Sequence, residues 1–105
     1  MTRIFFFLSF LICYQVNGQE VVLSLSDSVV PVFVQGESGY ACFRIPATIK
    51  LANHDLIAFA EGRKKGCSDT GDIDLVMKRS KDRGKTWGEL QKIWDDQANT
   101  CGNPA

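Results

Sequence analysis

The sequence predicts an all-β protein, and three observations support that prediction. Short runs rich in β-branched and apolar residues recur at short, fairly even intervals after position 18, with turn residues between them. Residues 73–78 place Ile, Leu and Met at every second position, which is the period of a β-strand. No window of adequate length after position 18 has a convincing helical period, and the β-rich surroundings of 88–98 weigh against a helix there.

Turn signals bound the individual strands. Asp27 and Ser28 separate the first two β-branched runs, and the turn-like residues 52–55 precede an apolar run long enough for a strand covered on both faces. The alternating run predicts a half-buried strand with Asp74 on its polar face, and a charged, Gly-rich loop, 62–71, precedes it. The predicted strands are 21–25, 29–34, 44–50, 55–60, 73–78 and 90–94.

The segment 1–18 has the form of a signal peptide. A short positive start ends at Arg3, an apolar run covers 4–14, and polar or small residues at 15–18 offer a cleavage site. The apolar run is shorter than the roughly 20 residues that a membrane-spanning helix needs. We therefore expect an exported protein (extracellular, periplasmic or lysosomal) that begins at Gln19 or Glu20 and has no membrane span after it. A buried N-terminal strand is the less favoured alternative.

The charge after position 18 is nearly balanced. Of the basic residues only Arg3 lies in the segment 1–18, while all 12 acidic residues follow it, so the net charge is near −1. Such a balance gives no electrostatic reason to expect a nucleic-acid partner or an anionic membrane. The basic residues cluster at 63–65 and 78–85, and the second cluster is most simply a solvated hairpin.

The cysteines favour disulfide chemistry but do not define a pairing. Cys13 lies in the apolar run, where the bulky Ile12 before it disfavours bacterial lipidation. Cys42, Cys67 and Cys101 follow at spacings of 25 and 34, which match no zinc-binding pattern. Export favours disulfides. Because three is an odd number, one cysteine stays free or pairs outside this sequence, and the residues leave that choice open.

A self-sufficient turn is predicted between the last two strands. Asp82 can accept hydrogen bonds from backbone N–H groups of its own loop, and Gly84 can adopt a positive φ. Ser80 and Thr86 can pair across the strand ends, and Trp87 can cover the turn. These residues match the Asp box, Ser-x-Asp-x-Gly-x-Thr-Trp, at every fixed position. The 80–87 segment therefore resembles the Asp boxes of sialidases and several other β-propellers. Those Asp boxes lie on the outer rim of the propeller, so the resemblance implies a structural role for Asp82.

Arg44 is the first candidate site residue. Pro46 disfavours helix at Ile45 and predicts an extended backbone there. Arg44 lies in the apolar segment 40–47, so it needs an anionic partner, and periodicity alone favours a structural salt bridge. Residues 43–46 resemble the Phe/Tyr-Arg-Ile-Pro motif of sialidases, and that resemblance implies instead an arginine that grips the carboxylate of sialic acid. A guanidinium can do so with two parallel hydrogen bonds.

Arg63 and Asp69 are the other two candidates. Sialidases have an arginine lining the pocket at the spacing that separates Arg63 from Arg44; a solvated loop arginine is the alternative. Asp69 lies at the spacing from Arg44 where the family has its general acid and base, so the resemblance implies that role for it, on a mobile loop. Asp72, as a turn residue, and Asp74, on the polar face of its strand, compete with it. Catalysis would need surroundings that favour the protonated carboxyl group.

The resemblance implies a six-bladed β-propeller of sialidase type. It covers roughly residues 39–105, including 59–63 and 100–105, and only the first blade or two would be present. Residues 1–18 would be the signal peptide and 19–105 the N-terminal, incomplete part of the catalytic propeller, since 19–105 bury too little surface for a whole domain of this class.

The resemblance also implies an exo-α-sialidase that releases terminal sialic acid from glycoproteins, glycolipids or oligosaccharides with retention and without metal or cofactor. Its tyrosine nucleophile, that tyrosine's glutamate and two further arginines come from later blades, so residues 19–105 alone should be inactive. Tyr40 and Glu61 come too early for those roles. A non-catalytic sialoside-binding propeller, an Asp-box propeller for protein contact and a trans-sialidase stay open as alternatives, as does the oligomeric state.

Overall fold

A computed structural model describes residues 29–104, which form one four-stranded antiparallel sheet in chain order. A short 3-10 turn, Glu37–Gly39, precedes the strands β1 Cys42–Lys50, β2 Leu56–Arg63, β3 Ile73–Ser80 and β4 Gln91–Trp94. The prediction of an all-β chain is confirmed, and a four-stranded antiparallel meander is the form of one propeller blade. Within residues 29–104 no helix is long and apolar enough to span a membrane.

Three predictions concern segments before the sheet. The signal peptide and the strand at 21–25 lie outside the described residues. The predicted strand at 29–34 is wrong, because that segment has no strand structure. Pro31 has no N–H group to donate to a strand neighbour, and the chain turns directly after Val34, whose carbonyl accepts a hydrogen bond from Glu37 N at 3.1 Å. The segment instead packs Phe33 against the sheet.

The alternation predicted for β3 is present, but the more deeply buried face is the one that carries Asp74, not the one that carries Leu75 and Met77. Asp74, Val76 and Lys78 are buried, whereas Leu75 and Met77 are only half-buried. The prediction that Asp74 belongs to a solvated polar face is therefore wrong. The period of two fixes which residues share a face, while the segment that covers the face decides which set is buried.

The charged residues on the buried face of β3 have partners in the covering segment 33–40. Tyr40 donates its phenolic O–H to Asp74 at 2.7 Å, and Lys78 donates to Glu37 at 2.8 Å beneath the ring of Phe33. Burial, together with the Asp74 carboxylate, raises the pKa of the Tyr40 phenol. Because buried charges need partners, this segment and the polar face of β3 stabilise each other.

The 80–87 turn has the internal hydrogen bonds that its sequence predicts. Asp82 accepts from the backbone N–H of Thr86 at 2.8 Å, and Gly84 has a φ of 86°. Ser80 and Thr86 do not pair with each other; each donates its hydroxyl to a different oxygen of Asp82. The carboxylate is therefore the centre of the turn. Trp87 is half-buried beside it.

The Asp82 carboxylate should make the stability of this turn depend on pH. Hydrogen bonds from Thr86, then from Ser80, lower the pKa of Asp82 from 3.8 to about 2. A depressed carboxylate pKa contributes stability that is present in full above the unfolded pKa and is lost as pH falls through the folded one. The free-energy difference between wild type and Asp82→Asn should be largest at pH 5 to 6 and shrink toward about pH 2. Denaturant unfolding measured across that range checks this, and a difference that grows on acidification would contradict it.

Candidate functional site

The three predicted site residues lie at one end of the sheet. Register places Cys42 opposite Arg63 across β1 and β2, and Arg63 opposite Ile73 across β2 and β3. Arg44 is therefore near the start of β1, next to the end of β2, and Asp69 lies in the loop that joins β2 to β3. Residues that are far apart in sequence come to the same sheet end because the strands are antiparallel.

Arg63 is buried, and each nitrogen of its guanidinium donates a hydrogen bond to another group of the described chain. Only 2% of its surface is exposed. Its Nε and Nη2 donate to Glu61 Oε2 at 3.0 and 2.5 Å. Its Nη1 donates to the carbonyl of Cys67 at 2.5 Å and to Asp69 Oδ1 at 2.9 Å. The hydrogen bonds with Glu61, opposed by burial and aided by Asp69, raise the pKa of the Arg63 guanidinium. A solvated loop arginine, the alternative weighed from the sequence, is therefore excluded.

Glu61 is the functional neighbour that sequence reasoning missed. Its Oε2 accepts hydrogen bonds from the Arg63 guanidinium, and its Oε1 accepts a hydrogen bond from the backbone N–H of Asn103 at 2.8 Å. A Cβ at Gly102 would lie 2.7 Å from Oε1, so a larger residue there would have to displace the Glu61 carboxylate. Glu61 thus joins β2 to the 100–104 segment, which passes beside the site. The signal was available, since residues two apart on a strand share a face.

Asp69 differs from its two competitors in exposure. Its side chain is 84% exposed, and its Oδ1 contacts Arg63 at 2.9 Å. Asp72 is half-buried and paired with Lys64 at 3.0 Å, and Asp74 is fully buried. Of the three aspartates, only Asp69 presents its carboxylate to solvent beside the arginine. It is therefore the one placed to meet a ligand at this end of the sheet.

Arg44 is exposed on β1 and has no acidic partner within residues 29–104. The structural salt bridge that periodicity favours is absent from this part of the chain. The predicted extended backbone at Ile45 is wrong, since Ile45 has a φ of 52°. The register shifts between Arg44 and Ala47 at the same place. A positive φ at a β-branched residue is strained, and a bulge re-aims the side chains beside it.

A disulfide ties this end of the sheet together. Cys42 and Cys67 are bonded, with their Cα atoms 5.3 Å apart, and Cys101 is the cysteine outside that bond in residues 29–104. The disulfide resolves the pairing that the sequence left open. It connects the start of β1 to the loop that carries Asp69.

Several curated proteins are similar in sequence to part of this chain. The chain is 39% identical over 72 residues to an exo-alpha-sialidase of Aspergillus fumigatus, and 38% identical over 72 residues to one of Arthroderma benhamiae. Each alignment covers 63% of this chain and 18% of the relative. A sialidase of Micromonospora viridifaciens is 38% identical over 60 residues, which cover 57% of this chain and 9% of that protein. Over the aligned residues, this chain is similar to sialidases. No protein-family model matches it.

The chain spans less than a fifth of the length of the two fungal relatives, 18% in each case. The described sheet therefore corresponds to a small part of such a protein. Arg44, Arg63 and Asp69 can supply an anion-binding guanidinium, a buried guanidinium and an exposed carboxylate.

A second cluster of charge combines acidic and basic side chains. Carboxylate oxygens of Asp72, Asp74 and Asp95 lie within 4.8 Å of one another. The ammonium groups of Lys64 and Lys92 lie 3.3 and 3.6 Å from Asp74 Oδ2, and both contact Asp95. Two ammonium ions among three carboxylates leave little net charge for a metal ion. The cluster joins the β2–β3 loop to the region after β4.

Proposed function

We propose that the longer protein carrying this segment is an exo-α-sialidase, a retaining glycosidase that releases terminal sialic acid from glycans. Arg44 would bind the substrate carboxylate and Asp69 would protonate the departing oxygen. Arg63 would line the pocket and hold the Asp69 loop. The names of the three relatives support the reaction class. The site geometry supports the division of roles.

One observation carries the proposal most strongly: Arg44 is exposed and lacks an acidic partner in the described chain, at the same sheet end as Asp69. A guanidinium in an apolar strand that has no internal partner is available to an external anion. Arginine binds a carboxylate with two parallel hydrogen bonds, which adds geometric specificity to charge. Sialic acid differs from most sugars in its carboxylate, so Arg44 and an exposed acid suit that substrate.

Asp69 has one oxygen available for proton transfer. Its Oδ1 accepts from Arg63, whereas its Oδ2 makes no hydrogen bond with residues 29–104. A carboxyl group held at one oxygen can present the other to a substrate. Residues 29–104 do not provide the apolar cover that favours a protonated carboxyl group, since the side chain is 84% exposed beside Arg63; in our proposal the bound substrate provides it. Retaining sialidases use tyrosine rather than a second carboxylate as nucleophile, and in our proposal that tyrosine and the glutamate that activates it come from a part of the protein outside this sequence.

The test is hydrolysis of α-linked sialosides by the full-length protein, wild type and Arg44→Lys. Lysine keeps the charge but loses the bidentate geometry. Hydrogen bonds to charged groups contribute about 1.5–3 kcal/mol, so kcat/KM for Arg44→Lys should fall roughly 10- to 150-fold. The first product detected by NMR should be the α anomer of sialic acid.

Arg83→Lys is the matched control for that substitution, because Arg83 is an exposed arginine of the 80–87 turn at the opposite end of the sheet from Arg44. It should retain full activity. A wild type that binds sialosides without hydrolysing them would instead identify a binding propeller. Equal activity of Arg44→Lys and wild type would remove Arg44 from the site, and transfer to an added lactose acceptor would identify a trans-sialidase.

A further inference from the structure

The Cys42–Cys67 disulfide connects the two segments that carry the proposed site. Cys42 lies two residues before Arg44, and Cys67 lies two residues before Asp69. Cys42 is completely buried at the start of β1, opposite Arg63. One end of the disulfide is therefore fixed in the sheet, and the other end is in the exposed loop. A covalent link from a rigid strand to a loop transmits the position of the strand to that loop.

Few other contacts hold the Asp69 part of the loop. Its two ends are fastened: Lys64 N donates to the carbonyl of Asp72 at 3.2 Å. The Thr100 hydroxyl accepts from Gly71 N at 3.0 Å and donates to Gly71 O at 2.9 Å. Between these ends, the hydrogen bonds that link residues 65–70 to the rest of the described chain come from Arg63, apart from a weak one to Cys67 Sγ.

The Arg63 contacts and the disulfide converge on one residue. Arg63 Nη1 donates to the carbonyl of Cys67, and the sulfur of Cys67 bonds to Cys42. Gly66 and Gly71 flank this part of the loop with φ values of 152° and 121°. Glycines permit a wide range of backbone angles. Without the covalent link, Asp69 would be held to the sheet chiefly by hydrogen bonds to one guanidinium.

We infer that the Cys42–Cys67 disulfide positions Asp69 for proton transfer to the leaving group, so that the rate of the reaction depends on this bond. The inference rests on the proposed sialidase function. The cysteines act through Asp69 and do not touch the substrate. A displacement of about 1 Å in a reacting group can cost on the order of 100-fold in rate. Opening the disulfide should leave carboxylate binding at Arg44 in place and impair the step that needs an acid.

The experiment compares two substrates of the full-length protein that differ in their need for that acid. Sialyllactose has a poor leaving group that must be protonated, whereas a 4-nitrophenyl sialoside has a good one. The samples are oxidised wild type, wild type reduced by a dithiol under native conditions, and the Cys42→Ser/Cys67→Ser double variant. Cys101→Ser is the control, because Cys101 lies outside the disulfide.

Loss of the disulfide should lower kcat/KM, which reports formation of the covalent intermediate, about 10- to 100-fold for sialyllactose and leave kcat/KM for the 4-nitrophenyl sialoside within about threefold. Reoxidation of the reduced wild type should restore the ratio. If both substrates lose rate equally, or neither does, the disulfide does not position the acid. If the double variant fails to fold, the native reduction decides. If oxidised wild type hydrolyses neither substrate, the proposed function itself fails, and this inference fails with it.

Discussion

Replacing Arg63 with methionine is expected to destabilise the full-length protein by about 3–5 kcal/mol, because it leaves a buried carboxylate without its partner. The side chains of Arg63 and Glu61 are only 3% and 7% exposed. Arg63 also holds the carbonyl of Cys67 and the carboxylate of Asp69. Methionine has a similar length and replaces the packing, so the loss is in charge and hydrogen bonds. Chemical denaturation of both proteins at pH 7 measures the difference in unfolding free energy.

Arg79→Met is the matched control for the Arg63 substitution. Arg79 also pairs with a carboxylate, that of Asp55, but its side chain is 38% exposed. The Asp55 side chain is itself only 12% exposed, so part of the cost of an unpaired carboxylate remains. The variant should still lose less stability than Arg63→Met, because solvent reaches Arg79 and because Arg79 donates to Asp55 alone, whereas Arg63 also holds Cys67 and Asp69. Equal losses in the two variants would show that burial of the Arg63–Glu61 pair is not what makes it important. A small loss in Arg63→Met alone would lead to the same conclusion.

The strands and the 80–87 turn are predictable because their causes are local. The period of two in 73–78 and the apolar run before it come from neighbouring residues, and they are found in β3 and β2. The hydrogen bonds of Asp82 to Ser80 and Thr86 likewise form within one turn. Such patterns can be recognised in the sequence without knowing the rest of the fold.

The buried face of β3 is not predictable from its own residues. Either set of alternating residues could face inward, and hydrophobicity favours Leu75 and Met77 over Asp74. The outcome depends on Tyr40, whose hydroxyl satisfies Asp74, and therefore on a segment that is distant in sequence. The same reason explains the failure at 29–34, where β-branched composition predicts a strand but the segment serves as cover.

The candidate site is predicted in part. Resemblance supplies Arg44, Arg63 and Asp69, and the antiparallel register brings them to one sheet end. Predicting that Glu61 pairs with Arg63 would have required knowing that the two side chains share a face and are both buried. Predicting the disulfide would have required the distance between the strand and the loop, and the spacing of cysteines in the sequence does not give that distance. Ile45, the residue before Pro46, has a left-handed backbone instead of the extended backbone that is expected before proline. The pairing of β1 with β2 changes register at the same place.

Replacing Asp69 with asparagine in the full-length protein is expected to reduce kcat on sialyllactose by about 100- to 10,000-fold, the usual contribution of a general acid. Asparagine cannot donate the proton, but it can still accept the hydrogen bond of Arg63 through its amide oxygen. Because the side chain is 84% exposed, stability should change by no more than about 0.5 kcal/mol. Steady-state kinetics together with thermal unfolding separates these two effects.

Asp72→Asn provides the decisive comparison, since Asp72 lies in the same loop but is paired with Lys64 at 3.0 Å. It should keep activity within about tenfold of wild type. The defect of Asp69→Asn should also be much smaller on a 4-nitrophenyl sialoside, whose leaving group needs little protonation. If Asp72→Asn is inactive and Asp69→Asn is not, the acid has been assigned to the wrong aspartate. If kcat/KM, which reports the step that needs the acid, falls by the same factor on both substrates in Asp69→Asn, Asp69 acts on binding or folding rather than on protonation of the leaving group.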